Sequence, residues 1–397
     1  MQIKNINYLA EDFTVKQGSL TVGDGKITSI AAADGAIGNR LLIPGLRNMH
    51  SHVPMTLLRG YGEGLPLDRW LNERVFPFEA KLTDDDVYWG SLVGIAEMLA
   101  SGVTEFADMY DHCGAIVDAV KLAGIRGRIS RAFLDFSGES LKGSMREAEE
   151  LELIAVKHPL ITAEAAIHAE YTSNEKYVRE AAEFAKEHKL AVQVHLSETA
   201  KEHAECKERH GGRTPARYFA DCGFFDVPAF AAHCVHCSED DLHILKDFGV
   251  TAVHNPTSNL KLKSGRFDTR KAYDLGVKLA LGTDGAASNN NLNLFEEMHL
   301  AALLGGFTPE EVLGFALNGK IAVGERADLV LVDYDKAHLQ PNHNYLANLV
   351  FSAQASDILW TMTDGKIVSE NGKPVNFDIA EALVKSAKAA LRIAKEI

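Results

Sequence analysis

Positive charge is in short supply. Across 397 residues, 41 lysines and arginines face 55 aspartates and glutamates, a formal net charge of −14. A surface of that sign repels phosphate backbones, which argues against a nucleic-acid partner but leaves room for one small nucleotide-like molecule in a pocket. Cysteine is scarce and odd in number, five in all, which argues against a disulfide framework. Cys234 and Cys237 form a CxxC, but no second pair exists to complete a zinc knuckle. Also missing are a run of about eighteen apolar residues and, at the N-terminus, a basic segment followed by an apolar one. Neither a membrane span nor a secretory signal is expected, and the sparse thiols point to a reducing compartment, the cytoplasm. Hydrophobic residues at 46% and charged residues at 24% are those of a folded globular chain.

An early glycine-rich phosphate loop is absent too. Gly60, Gly62 and Gly64 do not form GxGxxG after a strand, which counts against a doubly wound sheet. What is present is alternation. Short apolar, β-branched runs occur at 41–49, 103–109, 127–135, 161–168, 191–195, 230–234, 251–254 and 279–283. Between most of them lie helical patterns, among them 83–101, with Thr83 as N-cap and Gly102 as stop, 174–188 and 239–248. Eight strand–helix alternations over roughly 270 residues fit a (β/α)₈ barrel. The ends have another texture: runs at 19–22 and 26–30 flank Gly23-Asp24-Gly25, a hairpin signal, and similar segments recur from 327 onward. The termini are therefore expected to pair into one small domain, 1–44 with 320–397, beside a barrel over 45–319. The last segment, 378–397, has helical spacing with Ile379, Leu383, Ala387 and Leu391 on one face.

A barrel gathers its chemistry at the C-terminal ends of its strands. There the sequence places His50 and His52 (strand 1), His168 (strand 4), His195 followed by Glu198 (strand 5), His233 (strand 6) and Asp284 (strand 8). Residues two apart on a strand face the same side, so His50 and His52 can reach one ion. With His195 and Asp284 they make a mixed nitrogen and oxygen set that suits zinc, with iron, manganese or nickel as substitutes, and leaves room for water. No lysine lies in 161–168, where a carbamylated bridge between two metals is expected, so one metal is read rather than two. Each element has a bland reading alone: a His-x-His pair, a core histidine, a Thr-Asp-Gly turn. Their joint occurrence in strand order favours the metal. His112, His203, His210, His236 and His254 are read as structural or surface groups.

The stretches PGLRNMHSH, VQVHLSE, AAHCV, HNPTSNLKL and LGTDGAASNNNLNLFEEM resemble the amidohydrolase superfamily. Within it they are most similar to the 5′-methylthioadenosine/S-adenosylhomocysteine deaminases, as are MTLLRGYGEGLPLDRWL and GERADLVLVD. The resemblance implies a distorted (β/α)₈ barrel with a β-sandwich built from both chain ends, and zinc-dependent deamination of an adenosine derivative, the nucleoside being the small-molecule partner. Residue by residue it implies His50, His52, His195 and Asp284 as ligands, with Asp284 also a base. Glu198 then shuttles protons and His233 holds the attacking oxygen. His168 and Arg131 contact ribose and substrate, Trp70 packs on the ligand, and Ser288 lies near the base. The arginine that takes the homocysteine carboxylate in that family is displaced here, leaving Lys142, Arg146 or neither. The family also runs a longer helical stretch after strand 8, whereas here Gly314 stops a helix capped by Thr308 after barely one turn, so residues are expected to be missing between Leu303 and Gly314. The competing readings are deamination of guanine, a pterin or a triazine, a ring-opening amidase, and a non-catalytic binding protein. Association with further copies of the chain is the one protein partnership left open.

Overall fold

The computed structural model describes residues 1–65, 67–134 and 141–397. Eight parallel strands form one sheet: Leu46–Ser51, Val103–Tyr110, Arg126–Phe133, Ile161–Ile167, Ala191–Leu196, Ala229–His233, Thr251–His254 and Lys278–Leu281. Each pairs with the next in chain order, as barrel strands 1 to 8. Their near-continuous apolar character fits strands covered on both faces. Met49, Ala107, Val253 and Ala280, from strands 1, 2, 7 and 8, make a small cluster of their own, separate from the main core.

The seam between strands 1 and 8 is closed by side chains. Asn48 Nδ2 donates to Thr283 Oγ1 (2.7 Å), and Asn48 Oδ1 accepts from Thr283 N (3.0 Å). Asp284 N then donates to His50 O at 3.0 Å. Gly282 permits the approach, because a Cβ there would lie 2.4 Å from Asn255 Oδ1 and 2.8 Å from His50 Cβ. The seam sets Asp284 against His50.

Strands from both chain ends build a second sheet of eight. Arg40–Pro44 pairs parallel with Gln2–Leu9 and antiparallel with Leu329–Asp333, joining the two halves. A separate core of Ile3, Ile6, Leu20, Ile27, Leu329 and Met362, among others, fills its inner face. The hairpin at 23–26 reaches across it, with Ala327 N donating to Gly25 O (2.8 Å). The expected single run at 41–49 is thus two strands in two sheets. The break falls at Gly45, where a Cβ would stand 2.0 Å from Thr104 Oγ1.

The expected helix at 83–101 is Asp84–Ala100, capped by Thr83 with Asp86 in a reciprocal capping box. Two expectations need correction. The C-terminal helix Ile379–Glu396 buries Ala382, Ser386, Ala389 and Ile393, whereas Leu383 and Leu391 are exposed. Small residues let it lie close on the Asp84–Ala100 helix, where Arg392 reaches Asp86 (2.5 Å). Between Leu303 and Gly314 the chain also holds more helix than the single turn expected there. Helix Leu294–Gly305 ends at Gly306 (φ 65°), and Thr308 caps a second helix, Pro309–Ala316. Phe307 N donates back to Ala302 O (3.1 Å), tying the turn together. Gly314 looked like a helix stop, but it lies inside the helix.

Candidate active site

The strand ends bring the expected groups to one point. His52 Nδ1 donates to Met109 O (2.6 Å) and His195 Nδ1 to His168 O (2.7 Å). These carbonyl bonds fix both tautomers and leave the two Nε2 atoms facing each other at 3.2 Å. Asp284 Oδ1 stands 3.4 Å from His50 Nε2 and 3.2 Å from His52 Nε2. Its other oxygen accepts from Ser258 Oγ (2.6 Å) and Ser288 Oγ (2.8 Å). His50 Nε2 is buried with no hydrogen-bond partner. Donor atoms of His50, His195, His233 and Asp284 all lie within 4.8 Å of one another. Separations of 3.2–3.4 Å are those of donors about 2.0–2.1 Å from one tetrahedral ion. The donors are buried and mixed in nitrogen and oxygen, and His50 Nε2 has no other partner, so a divalent metal fits.

Electrostatics agree with that fit. Burial pushes the His50 imidazole down to about 4 and His195 well below its ordinary value, keeping both neutral as ligands must be. Burial also opposes the charges on Asp284 and His52, yet the contacts of Asp284 with His50 and His52 outweigh it for the carboxyl, and the contact with Asp284 outweighs it for His52. The carboxyl is held well below its usual range, and His52 rises to about 9 without a metal. Two of the groups adopt left-handed backbone: His233 at φ 72° and Asp284 at φ 62°. Such conformations cost about 1–3 kcal/mol each and persist where the surrounding structure imposes them.

Glu198 closes one side of the site. Its Oε1 accepts from Ser264 Oγ (2.9 Å), and its Oε2 lies 3.8 Å from His233 Nε2. Burial, helped by the nearby Asp284 charge, pushes its carboxyl upward. His233 presents Nε2 because Nδ1 donates to Asn259 Oδ1 (2.8 Å). The cavity in front has a volume of about 390 Å³ and is walled by Trp70, His168, Ser288 and Leu134, among others. Burial pushes His168 down to about 3, so it is a neutral ring.

Not every sequence expectation reaches the cavity. Arg131 is buried and spent on Asp111, on Glu147 (2.7 Å) and on Ala132 O (2.8 Å), and it is not part of the cavity wall. Arg146 has a side chain 78% exposed beside Glu150, away from the wall. The side chain of Lys142 lies outside the described residues. Conversely, His112 was read as structural and stands on the wall, bonded through Nδ1 to Asp84 (2.6 Å). Glu79 was missed. It accepts from Tyr110 Oη (2.6 Å) on the wall, and burial pushes its carboxyl up to about 7. Its one signal in the sequence was proximity to Trp70 in the same loop. His254, by contrast, is buried with neither ring nitrogen bonded and stays off the wall. All five cysteines are free thiols, and among the described residues no helix is long and apolar enough to cross a membrane.

Comparison with known proteins agrees with the geometry. Residues 41–368 match the amidohydrolase family. The chain is 40% identical to a 5-methylthioadenosine/S-adenosylhomocysteine deaminase of Acetivibrio thermocellus over 404 aligned positions, covering 93% of this chain and 94% of the relative. It is 36% identical to a 5′-deoxyadenosine deaminase of Methanosarcina mazei, over 98% of this chain and 97% of that one. In both alignments the positions outnumber this chain's 397 residues, so it is shorter than these relatives by internal gaps. The crystal structure of a zinc-bound adenosine deaminase from Xanthomonas campestris superposes with a TM-score of 0.91 at 29% identity, covering 98% of each chain. The barrel, the histidine–aspartate cluster and these matches together place the chain in the amidohydrolase family.

Proposed function

We propose that this protein is a cytoplasmic, metal-dependent deaminase that converts an adenosine derivative to its inosine counterpart and ammonia. One observation carries the reading: a buried carboxyl of raised pKa, Glu198, flanks the donor cluster where the N1 edge of an aminopurine would lie. His50, His52, His195 and Asp284 would hold the metal, and their donor set favours zinc. The bound metal supplies acidity, lowering the pKa of water from about 15.7 to about 7. Glu198 gives its proton to N1, which makes C6 electrophilic. His233 Nε2 holds the incoming oxygen, and Asp284 takes the proton released as the C6–O bond forms. That proton passes to the amino group, the C6–N bond breaks, and ammonia leaves. The remaining hydroxyl proton returns to Glu198, while N1 keeps the one it received.

The pose also orients the sugar. With C6 at the cluster and N1 on Glu198, N9 points to the opposite side of the purine. Ribose is then directed to the wall of Trp70, His168 and Glu79, the last a hydroxyl acceptor. Ammonia release measured on adenosine, 5′-methylthioadenosine, S-adenosylhomocysteine, guanine and cytosine tests the reading. Turnover of guanine or cytosine with none of the adenosines would overturn it.

Among the described residues no lysine or arginine lines the cavity, whose wall includes Phe76, Leu82 and Leu134. A neutral 5′ group is therefore proposed to be preferred over a carboxylate-bearing one. A charge-assisted bond contributes about 1.5–3 kcal/mol, roughly 10- to 150-fold. Without it, S-adenosylhomocysteine forfeits that gain, and its kcat/KM should not exceed that for 5′-methylthioadenosine. Lys142→Ala should leave the ratio of the two unchanged. A selective loss on S-adenosylhomocysteine would show that Lys142 binds the carboxylate.

A further inference from the structure

Glu198 is carried on a loop beyond strand 5, so its aim depends on what fixes that loop. Among the described residues, four α-helices begin with a reciprocal capping box. In three of them the carboxylate at the third helical position grips the N-cap amide closely: Asp86 to Thr83 N (2.9 Å), Asp241 to Ser238 N (2.8 Å) and Glu311 to Thr308 N (2.9 Å). The fourth, Glu202 at the start of Ala200–Arg209, is displaced. Its N-cap amide, Thr199 N, is 3.4 Å away, while Ser197 N (2.8 Å) and Glu198 N (2.7 Å) take the short bonds. Side-chain length alone does not cause this, because Glu311 has the same reach and stays on its own cap.

The displaced carboxylate is buried, at 5% exposure, and buried acceptors are retained where donors compensate them. The segment it grips is strained and tied from other sides. Ser197 has φ 47°. Ser197 O accepts from His236 N (2.9 Å), and His236 Nε2 donates to Ser264 O (2.8 Å). Ser264 Oγ completes the ring on Glu198 Oε1 (2.9 Å). Capping a helix requires none of these bonds. We propose that Glu202 is a positioning residue that, by holding the Ser197 and Glu198 amides, aims the Glu198 carboxyl at the reacting base. The proposal rests on the reading of Glu198 as the proton donor.

Glu202→Asp separates the two roles. Aspartate serves the capping boxes at Asp86 and Asp241, so the helix start is kept, but the shorter side chain cannot reach back to residues 197 and 198. In the metal-loaded enzyme with adenosine as substrate, metal content and Tm should stay near wild type. Amide hydrogen exchange at Ser197 and Glu198 should quicken by at least about tenfold, and kcat should fall by at least about tenfold with KM within about threefold. In a Glu198→Gln background the same change should add no further loss. Unaltered exchange, a KM rise at constant kcat, or losses that multiply would each overturn the proposal. If Glu202→Asp fails to fold, Glu202→Gln keeps the length with one acceptor oxygen, and the same readouts decide. Full activity in Glu198→Gln would sink the proton-donor reading and this role with it. Loss in Glu198→Gln beside full activity in Glu202→Asp would sink this role alone.

Discussion

Glu198→Gln should lower kcat by about 10²-fold or more while metal content stays at the wild-type level. The substitution is nearly isosteric, and Glu198 bonds Ser264 rather than any of the proposed ligands. The amide can still donate a hydrogen bond to N1, so KM should change little. What it cannot do is release a proton, so C6 keeps its low electrophilicity. Parallel kinetics and metal analysis check the outcome. An unchanged kcat would remove Glu198 from the chemistry, and a fall in bound metal would make it part of the metal site instead.

The legible parts of this protein were those encoded by local spacing. His50 and His52 two apart at a strand end, and Asp284 after an apolar run, can be read without a structure because strand geometry fixes where such side chains point. The parts that stayed hidden depend on what packs against them. Residues 41–49 form one apolar run, and nothing in it marks the passage from one sheet to the other, since both strands are buried and only the Thr104 side chain excludes a Cβ at Gly45. The C-terminal helix offers two faces of similar spacing. The alanine- and serine-bearing one wins because it lets two helix axes approach, which is a property of the partner helix. Gly314 was taken for a terminator because glycine ends helices in left-handed backbone. The helix that holds it instead runs on to Ala316 and ends at Leu317 in extended backbone. Glu79 and Glu202 are ordinary glutamates among many until burial and their amide or phenol donors single them out.

Asp284→Asn should abolish turnover more completely than Glu198→Gln, because two roles meet in one side chain. The amide is a weaker metal ligand and cannot accept the water proton, so activity should fall by more than about 10³-fold. Metal occupancy should also drop. The two losses can be separated by adding metal until occupancy is restored. Activity should remain low, because the base is still missing. Recovery on metal addition would mean that Asp284 serves only as a ligand. The metal-free protein gives a second, independent readout. There the Asp284 contact holds His52 up to about 9 against burial. A histidine whose folded pKa lies above its unfolded value contributes stability that is fully present below about 6.5 and is lost as pH rises through about 9. The carboxylate, held below its ordinary range, contributes wherever the pH is above about 4. The Tm difference between metal-free wild type and Asp284→Asn should therefore be widest near pH 5–6.5 and narrow steadily toward pH 9. A difference that did not vary with pH would show that the aspartate–histidine contact contributes nothing to folding, and that the cluster is held together by Ser258, Ser288 and the backbone seam alone.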